Sequence, residues 1–236
     1  MSQDLEKVRD VPSLRGRKFV FKDRLQAGVL LAQQLQRHVK PLIILAIPRG
    51  GIPIAVALST ELAIPFDLVI SRKIPLPYTI EAGYGAVTWN DVVVINTELT
   101  IQLQLTKEEI QEGILYAKQQ VKDQSIKYRG QTPLPNPQNK TVILVDDGIA
   151  SGYSMLAAIK FVQQHTPKKV VVAVPTAPSR SLHTIVPFVD EIICLNIRDT
   201  QYFAVADAYL NWQDIPETIA LSFLRKTPLF LKKGVS

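Results

Sequence analysis

Apolar residues follow two alternating patterns along this chain. Short continuous apolar runs are typical of strands that are buried on both faces of a parallel sheet, whereas apolar residues spaced three and four apart are typical of amphipathic helices. Runs of the first kind predict strands at 42–47, 67–71, 141–145, 170–174 and 191–195. Patterns of the second kind predict helices at about 24–39, 53–63, 106–121, 152–164 and 179–186, and after Asp214. This alternation favours a doubly wound α/β domain, with a parallel sheet covered by helices on both faces.

Local signals support several of these elements. Asp23 is a suitable N-cap residue for the first helix, and Thr106 with Glu109 has the spacing of a capping box. The segment 86–96, which turns at Asn90-Asp91, favours a hairpin. These signals place element boundaries independently of the apolar patterns.

Glycine and proline interrupt the pattern between residues 74 and 90. Pro75 and Pro77 enter this stretch, and Gly83 with Gly85 lies near its end. Because these residues favour turns over regular elements, we expect a mobile loop here.

A second interruption, at 129–140, contains three prolines within the sequence PLPNP and is typical of a linker. We divide the chain into an N-terminal extension (1–20), one domain (21–225) and a basic tail (226–236).

Composition excludes several classes of protein. The 236 residues are 47% hydrophobic and 20% charged, as in ordinary soluble domains. The single cysteine, Cys194, excludes an intramolecular disulfide and a cysteine-rich zinc site, and we expect it to be an inert buried thiol. The apolar run at 42–47 is too short to span a bilayer, and the charged N-terminus does not resemble a signal peptide. We therefore expect a cytoplasmic protein without a membrane partner.

The net charge of +6 includes a basic cluster near the start of the chain, whose members are Arg15, Arg17, Lys18, Lys22 and Arg24. Such a cluster fits nucleic acid and a phosphorylated small molecule equally well, and a solvated surface is its usual explanation. Since no helix-turn-helix or RNA-binding motif accompanies it, we do not expect a nucleic-acid partner.

The segment 142–154 (VILVDDGIASGYS) carries the chemistry. It places Asp146 and Asp147 at the carboxyl end of a strand, where open α/β sheets bind ligands. The loop Gly148–Gly152 then opens a helix, whose N-terminus and small residues favour a phosphate, and the Ser151 hydroxyl adds a donor.

The two carboxylates need hydrogen-bond donors, which sugar hydroxyls or a hydrated Mg²⁺ would supply. Ribose 5-phosphate offers a vicinal diol beside a phosphate. Other phosphate motifs are excluded, because Tyr153 stands where a P-loop has its lysine and no G-x-G-x-x-G occurs. The alternative without a ligand is a turn followed by a glycine at a helix start.

This segment resembles the phosphoribosyl-diphosphate (PRPP) motif of the type I phosphoribosyltransferases: four hydrophobic residues, two acids and a small-residue loop. The similarity extends over nearly the whole chain and is closest to a subgroup of largely uncharacterised bacterial and archaeal phosphoribosyltransferases; its further segments are 21–24, 27–28, 45–54, 71–73, 85–87, 128–129 and 170–175. The resemblance implies the type I fold, a parallel core of five strands with a small hood, and Mg²⁺-PRPP as ligand.

Catalytic roles carry over by resemblance to Arg49, Arg72, Lys73, Asp146 and Asp147. The two aspartates would hold the ribose hydroxyls and touch Mg²⁺ only through PRPP. Arg72 and Lys73 would face the pyrophosphate, although a solvated strand end is the alternative for this pair.

Two loops would hold the phosphates. Backbone groups of Gly148, Ile149, Ala150, Ser151 and Gly152, with Ser154, would bind the 5-phosphate. Pro48, Arg49, Gly50 and Gly51 match the pyrophosphate loop.

The hood, at about 198–213, would hold the acceptor base, with Tyr202 or Phe203 stacking on it; packing in the core is the alternative for these aromatics. Glu81 is a candidate in the 74–90 lid, where a solvated side chain is the alternative. Tyr209 and Trp212 are interpreted as packing residues.

The resemblance implies a pentosyltransferase of nucleotide salvage, acting as a homodimer. It would transfer the 5-phosphoribosyl group from PRPP to a nitrogenous acceptor, which we expect to be a nucleobase, and release pyrophosphate. Two other functions stay open: a non-enzymatic PRPP sensor, and an unrelated sugar-phosphate binder on the same fold.

Overall fold

The computed structural model describes residues 5–36, 41–130, 132 and 136–231, and of Leu5, Ile80 and Glu81 the backbone only. The strands are β1 (Val8–Arg9), β2 (Leu42–Ala46), β3 (Phe66–Leu68), β4 (Ser71–Leu76), β5 (Thr79–Thr88), β6 (Val93–Ile95), β7 (Thr141–Val145), β8 (Lys169–Ala177) and β9 (Glu191–Ile197). The α-helices are α1 (Arg24–Leu35), α2 (Gly51–Leu62), α3 (Thr97–Gln102), α4 (Lys107–Arg129), α5 (Tyr153–Gln163), α6 (Ser179–Ile185) and α7 (Glu217–Lys226).

Six parallel strands form the central sheet in the order β1-β9-β8-β7-β2-β3. Alternate residues of the inner strands β2, β7, β8 and β9 enter two separate cores. Ile44 and Ile143 pack with α1, α2 and α7 on one face, whereas Ile43 and Val142 pack with α5 and α6 on the other. The predicted α/β fold, with helices on both faces of a parallel sheet, is therefore confirmed.

The predicted helix starts are also observed. The Asp23 carboxylate accepts a hydrogen bond from the Gln26 amide, and Thr106 with Glu109 forms a complete capping box. The predicted end of the first helix, at Val39, lies outside the described residues. None of the helices in the described part of the chain is long and apolar enough to cross a membrane.

Both ends of the chain take part in the sheet. Residues 8–9 pair with β9 and add a sixth strand to the five implied by the resemblance. At the opposite edge, Phe230 stacks on Phe66 with ring centroids 5.3 Å apart, and the Leu231 amide donates to the Phe66 carbonyl. The segments expected to be an extension and a tail thus contribute backbone pairing, because their few apolar residues complete the sheet edges. Residues 232–236 of the tail lie outside the described residues.

The segment 74–90, predicted as a loop, is mostly strand. β4 and β5 pair antiparallel, and β5 pairs with β6 across the hairpin expected at Asn90-Asp91. The glycines here allow close strand contact: a Cβ on Gly83 would lie 2.6 Å from the Ile74 carbonyl oxygen, and one on Gly85 would lie 2.3 Å from that of Val94. They were misinterpreted as turn signals because close approach of two backbones favours the same residue.

Candidate functional site

A cleft of 510 Å³ opens at the carboxyl edge of the central sheet. Its walls are the loop 146–152 after β7, Lys73 and Gly83 of the β4–β5 hairpin, and Val205. Val205 begins a short 3-10 helix, Val205–Ala208, which lies within the predicted hood. The sheet edge, the hairpin and the hood therefore enclose one space around the two adjacent aspartates.

Asp146 and Asp147 are held in fixed relation to each other. The Asp147 amide donates to Asp146 Oδ1 over 2.8 Å, and the Tyr209 hydroxyl donates to the Asp147 carbonyl over 2.5 Å. Burial raises the pKa of both carboxyls, and the charge of Asp147 raises that of Asp146 further, whereas Arg24 lowers both. Two crowded, buried carboxylates favour a ligand that brings hydrogen-bond donors or a cation.

The loop after the aspartates has the geometry of an anion cradle. Gly152 has φ of +90°, a conformation that favours glycine, and α5 begins at the next residue. The Ser181 hydroxyl donates to the Ala150 carbonyl, so the N–H of the same peptide group, at Ser151, points to the opposite side. The N–H groups of the first helical turn have no acceptor within the helix and are available to a phosphate.

Ile149 differs from the other residues of this loop. Its amide donates to the Thr176 carbonyl over 2.9 Å, and its side chain is buried. The Ile149 N–H is therefore already committed, and the place of Ile149 in the 5-phosphate loop stays a prediction that its amide does not support. Ile149 instead anchors the loop to β8.

The loop Pro48–Gly51, which follows β2, lies directly against the aspartates. The Ile47 amide donates to the Val145 carbonyl over 2.9 Å, and the peptide bond between Pro48 and Arg49 is cis. A Cβ on Gly50 would lie 2.1 Å from Asp147 Oδ2. The neighbouring strands β2 and β7 thus bring the two predicted phosphate loops together.

Arg72 and Lys73 do not lie side by side in the cleft. Lys73 lines the cleft. Arg72 is partly buried and lies near Arg49 and near Tyr128 of α4. Burial, and then the charge of Arg49, lower the pKa of Arg72. The reason is that these two residues belong to a strand, in which successive side chains point to opposite faces. Lys73 therefore lies on the cleft side of β4, whereas Arg72 lies on the other face, near Arg49.

The hood presents neither predicted aromatic to the cleft. Tyr202 is 84% exposed, and Phe203 lies against the buried Arg198, whose guanidinium carbon is 5.3 Å from the ring centroid. Among the described residues of the hood, Val205 is the one that lines the cleft. Stacking by Tyr202 or Phe203 stays a prediction.

Two further sequence predictions concern single residues. Glu81 lies on β5, and its side chain lies outside the described ones. Cys194 is fully buried, and burial raises its pKa to about 12, which confirms the inert thiol.

Mg²⁺ prefers near-octahedral oxygen ligands and usually keeps several waters. Within the described ranges, no three His, Cys, Asp or Glu side chains form a group that could hold a metal ion. Asp146 and Asp147 alone supply few ligands, so this donor set fits a Mg²⁺ ion carried by substrate phosphates better than a metal bound by the protein.

Sequence reasoning missed the role of Arg24. Its Nε donates to Asp147 Oδ2 over 2.7 Å, and its guanidinium lies 3.8 Å from the ring centroid of Trp212. One signal was present: Arg24 follows an N-cap, and a cation at a helix N-terminus opposes the helix dipole. Such a residue needs another partner, which here is a site carboxylate.

Comparisons of the sequence with known proteins identify the family that the motifs resemble, and a comparison of structures identifies a protein with a matching fold. The model of the phosphoribosyl transferase domain matches residues 22–209. Two curated Mycobacterium tuberculosis proteins, from strains H37Rv and CDC 1551, are each 31% identical to this chain over 209 residues, and both bear the name "Putative phosphoribosyl transferase". The match covers 87% of this chain and 46% of each relative, so the chain spans about half the length of these relatives.

A solved structure has the same overall fold. The protein TT1426 from Thermus thermophilus aligns with a TM-score of 0.69 and 26% identity, covering 88% of this chain and 98% of that one. Since the domain model covers most of the chain and includes both phosphate loops and the aspartate pair, this chain belongs to the phosphoribosyltransferase family.

Proposed function

We propose that this protein transfers the 5-phosphoribosyl group from PRPP to a nitrogenous acceptor, a nucleobase, with release of pyrophosphate. The observation that carries the proposal is the close approach of Gly50 to Asp147, which brings the loop predicted to bind pyrophosphate against an acid predicted to bind ribose. PRPP carries a diphosphate and a 5-phosphate on one ribose. The cleft offers a candidate partner for each part: the loop Pro48–Gly51 for the diphosphate, the two aspartates for the ribose and the loop Gly148–Gly152 for the 5-phosphate.

In this proposal each part of the substrate has its own partners. The first turn of α5 and Ser151 bind the 5-phosphate, and the two aspartates accept hydrogen bonds from the ribose hydroxyls. Arg49, the backbone amides of Arg49 and Gly50, and Lys73 receive the leaving pyrophosphate, with Arg72 supporting Arg49; the Gly51 amide already donates to the Ile47 carbonyl. Mg²⁺ held by PRPP would neutralise charge that develops on the leaving group.

No protein nucleophile is required by this arrangement. Catalysis would come from positioning, charge stabilisation and exclusion of water, to which the β4–β5 hairpin contributes by covering the cleft. The hairpin would have to open for substrate entry, and Glu81 lies on its second strand, β5.

The test is release of pyrophosphate from PRPP and Mg²⁺ across a panel of purine and pyrimidine bases. We expect release that depends on one base or a small group of bases. The variant with Asp146→Asn and Asp147→Asn is the negative control, because it keeps the shape of the site. Release in this variant at the wild-type rate would contradict the proposal, and PRPP binding without release on any base would favour the PRPP sensor.

Gly50→Ala is expected to weaken binding of ribose 5-phosphate by roughly ten- to a hundredfold, because overpacking costs about 1–3 kcal/mol. Gly50 has φ of −58° and ψ of −38°, so alanine is compatible with its backbone. The added Cβ would instead displace the Asp147 carboxylate, which Arg24 holds in place. Isothermal calorimetry measures the effect, with melting temperature as the control for folding. Unchanged affinity would show that Asp147 moves freely or does not contact the sugar.

A further inference from the structure

Arg24 lies in an unfavourable place on its own helix. It is the first residue of α1, where the helix dipole disfavours a cation, and its side chain is only 10% exposed. Burial of a guanidinium requires hydrogen bonds and an opposite charge. Arg24 obtains them from Asp147 Oδ2, at 2.7 Å, and from the Gln213 carbonyl, at 2.9 Å.

Two aromatic residues pack near the Arg24 guanidinium. Trp212 lies against it at 3.8 Å, and the Tyr209 ring is 5.9 Å from it. Tyr209 in turn packs on Trp212 and on Phe21, with ring centroids 5.3 and 5.6 Å away. These contacts confine the guanidinium to a narrow range of positions, from which it reaches Asp147.

Asp147 is therefore held at three of its atoms. Arg24 binds one carboxylate oxygen, Tyr209 binds the carbonyl, and the amide donates to Asp146. The contact partners come from α1, from the segment after the hood helix and from the neighbouring acid, so no single element determines the orientation.

We propose that Arg24 is the positioning residue that sets Asp147 for the ribose hydroxyls, with Trp212 and Tyr209 fixing the guanidinium. This inference rests on the proposed function, because it assigns the ribose to Asp147. Arg24 acts through Asp147 and not on the phosphate, so its loss weakens sugar recognition selectively.

The experiment compares two probes, ribose 5-phosphate and inorganic phosphate, by calorimetry on the full chain. Arg24→Met keeps much of the side-chain volume that packs on Trp212 and removes both hydrogen bonds. We expect affinity for ribose 5-phosphate to fall about ten- to a hundredfold, since hydrogen bonds to charged groups contribute about 1.5–3 kcal/mol. Affinity for inorganic phosphate should not change.

Three further variants separate positioning from folding. Arg24→Lys keeps the positive charge and much of the packing of the side chain. Its affinity for ribose 5-phosphate should lie between those of wild type and Arg24→Met. In an Asp147→Asn background, Arg24→Met should have little additional effect, because its target is gone. Arg17→Met is the matched control, since Arg17 is an exposed arginine of the same N-terminal segment that donates to the Ser13 carbonyl.

Each result is decisive. Equal loss of both ligands, or an additive effect with Asp147→Asn, would overturn the positioning role. If the wild-type protein binds ribose 5-phosphate, and Arg24→Met and Arg24→Lys bind it with the same affinity, the positioning role is also overturned. The proposed function then stays intact. A wild-type protein that binds inorganic phosphate but neither ribose 5-phosphate nor PRPP would overturn the proposed function itself, and this inference with it.

Discussion

Replacing Asp146 and Asp147 together by asparagine is expected to lower the affinity for PRPP by about two to four orders of magnitude. The physical reason is the loss of two charged acceptors, each contributing about 1.5–3 kcal/mol when hydrogen-bonded. Asparagine has nearly the same shape, but its amide group adds donors where the ribose hydroxyls also donate. The loss therefore measures hydrogen-bond chemistry and not the filling of the cleft.

Calorimetry with PRPP and Mg²⁺ measures this effect. Asp123→Asn is a matched control, because Asp123 is an exposed carboxylate on α4 that accepts a hydrogen bond from Gln119. The single variants should each lose part of the affinity, with the larger loss at the residue that contacts more of the sugar. Wild-type affinity in the double variant would exclude the aspartates from ribose binding. Normal affinity combined with lost turnover would assign them to stabilisation of the transition state.

Most of the fold could be predicted from local patterns. The buried run at 141–145 has no polar residue on either face except Thr141 at its start, which is the signature of a strand covered on both sides. The carboxyl ends of such strands meet at one edge, so the positions of Asp146 and Gly50 follow from the strand assignment alone. Proximity of the two loops was thus predictable, although their direct contact was not.

Contacts between distant segments were not predictable in this way. Arg24 and Asp147 are 123 positions apart, and nothing in the sequence pairs them. Tyr209 looks like an ordinary core aromatic, since its hydroxyl partner is a backbone carbonyl that a sequence pattern does not reveal. The exception is Arg24 itself, because it directly follows the predicted N-cap residue Asp23. A cation at that position opposes the helix dipole, and this conflict could be recognised in the sequence.

The hairpin shows a different limit. Its glycines and prolines are equally typical of a loop and of a bulged strand pair, and the register between β4 and β5 does shift at Pro75. The predicted strand ended at Ser71, whereas β4 continues to Leu76, so the prediction left out the alternation that separates Arg72 from Lys73. The placement of these two side chains therefore depended on one strand boundary.

Arg129→Met is expected to lower the free energy of unfolding by about 3–5 kcal/mol, because it leaves a buried charge without its partner. Arg129 is 1% exposed and forms an ion pair with Asp67, which is 0% exposed on β3. The same arginine donates to the Thr132 carbonyl and lies over the Trp89 ring at 5.4 Å. This pair joins the end of the long helix α4 to the edge of the central sheet, beside the hairpin that lines the cleft.

The companion variant decides whether charge or packing causes the loss. Arg129→Met with Asp67→Leu removes both charges and keeps the volume, and such replacements are often neutral or stabilising. We therefore expect the double variant to recover most of the stability that Arg129→Met loses, as measured by urea unfolding. A double variant that is less stable than Arg129→Met would show that the hydrogen bonds of Asp67, including the one from the Leu68 amide, matter more than its charge. Recovery would mean that the ion pair adds little net stability, since an apolar pair in its place would hold α4 on the sheet nearly as firmly.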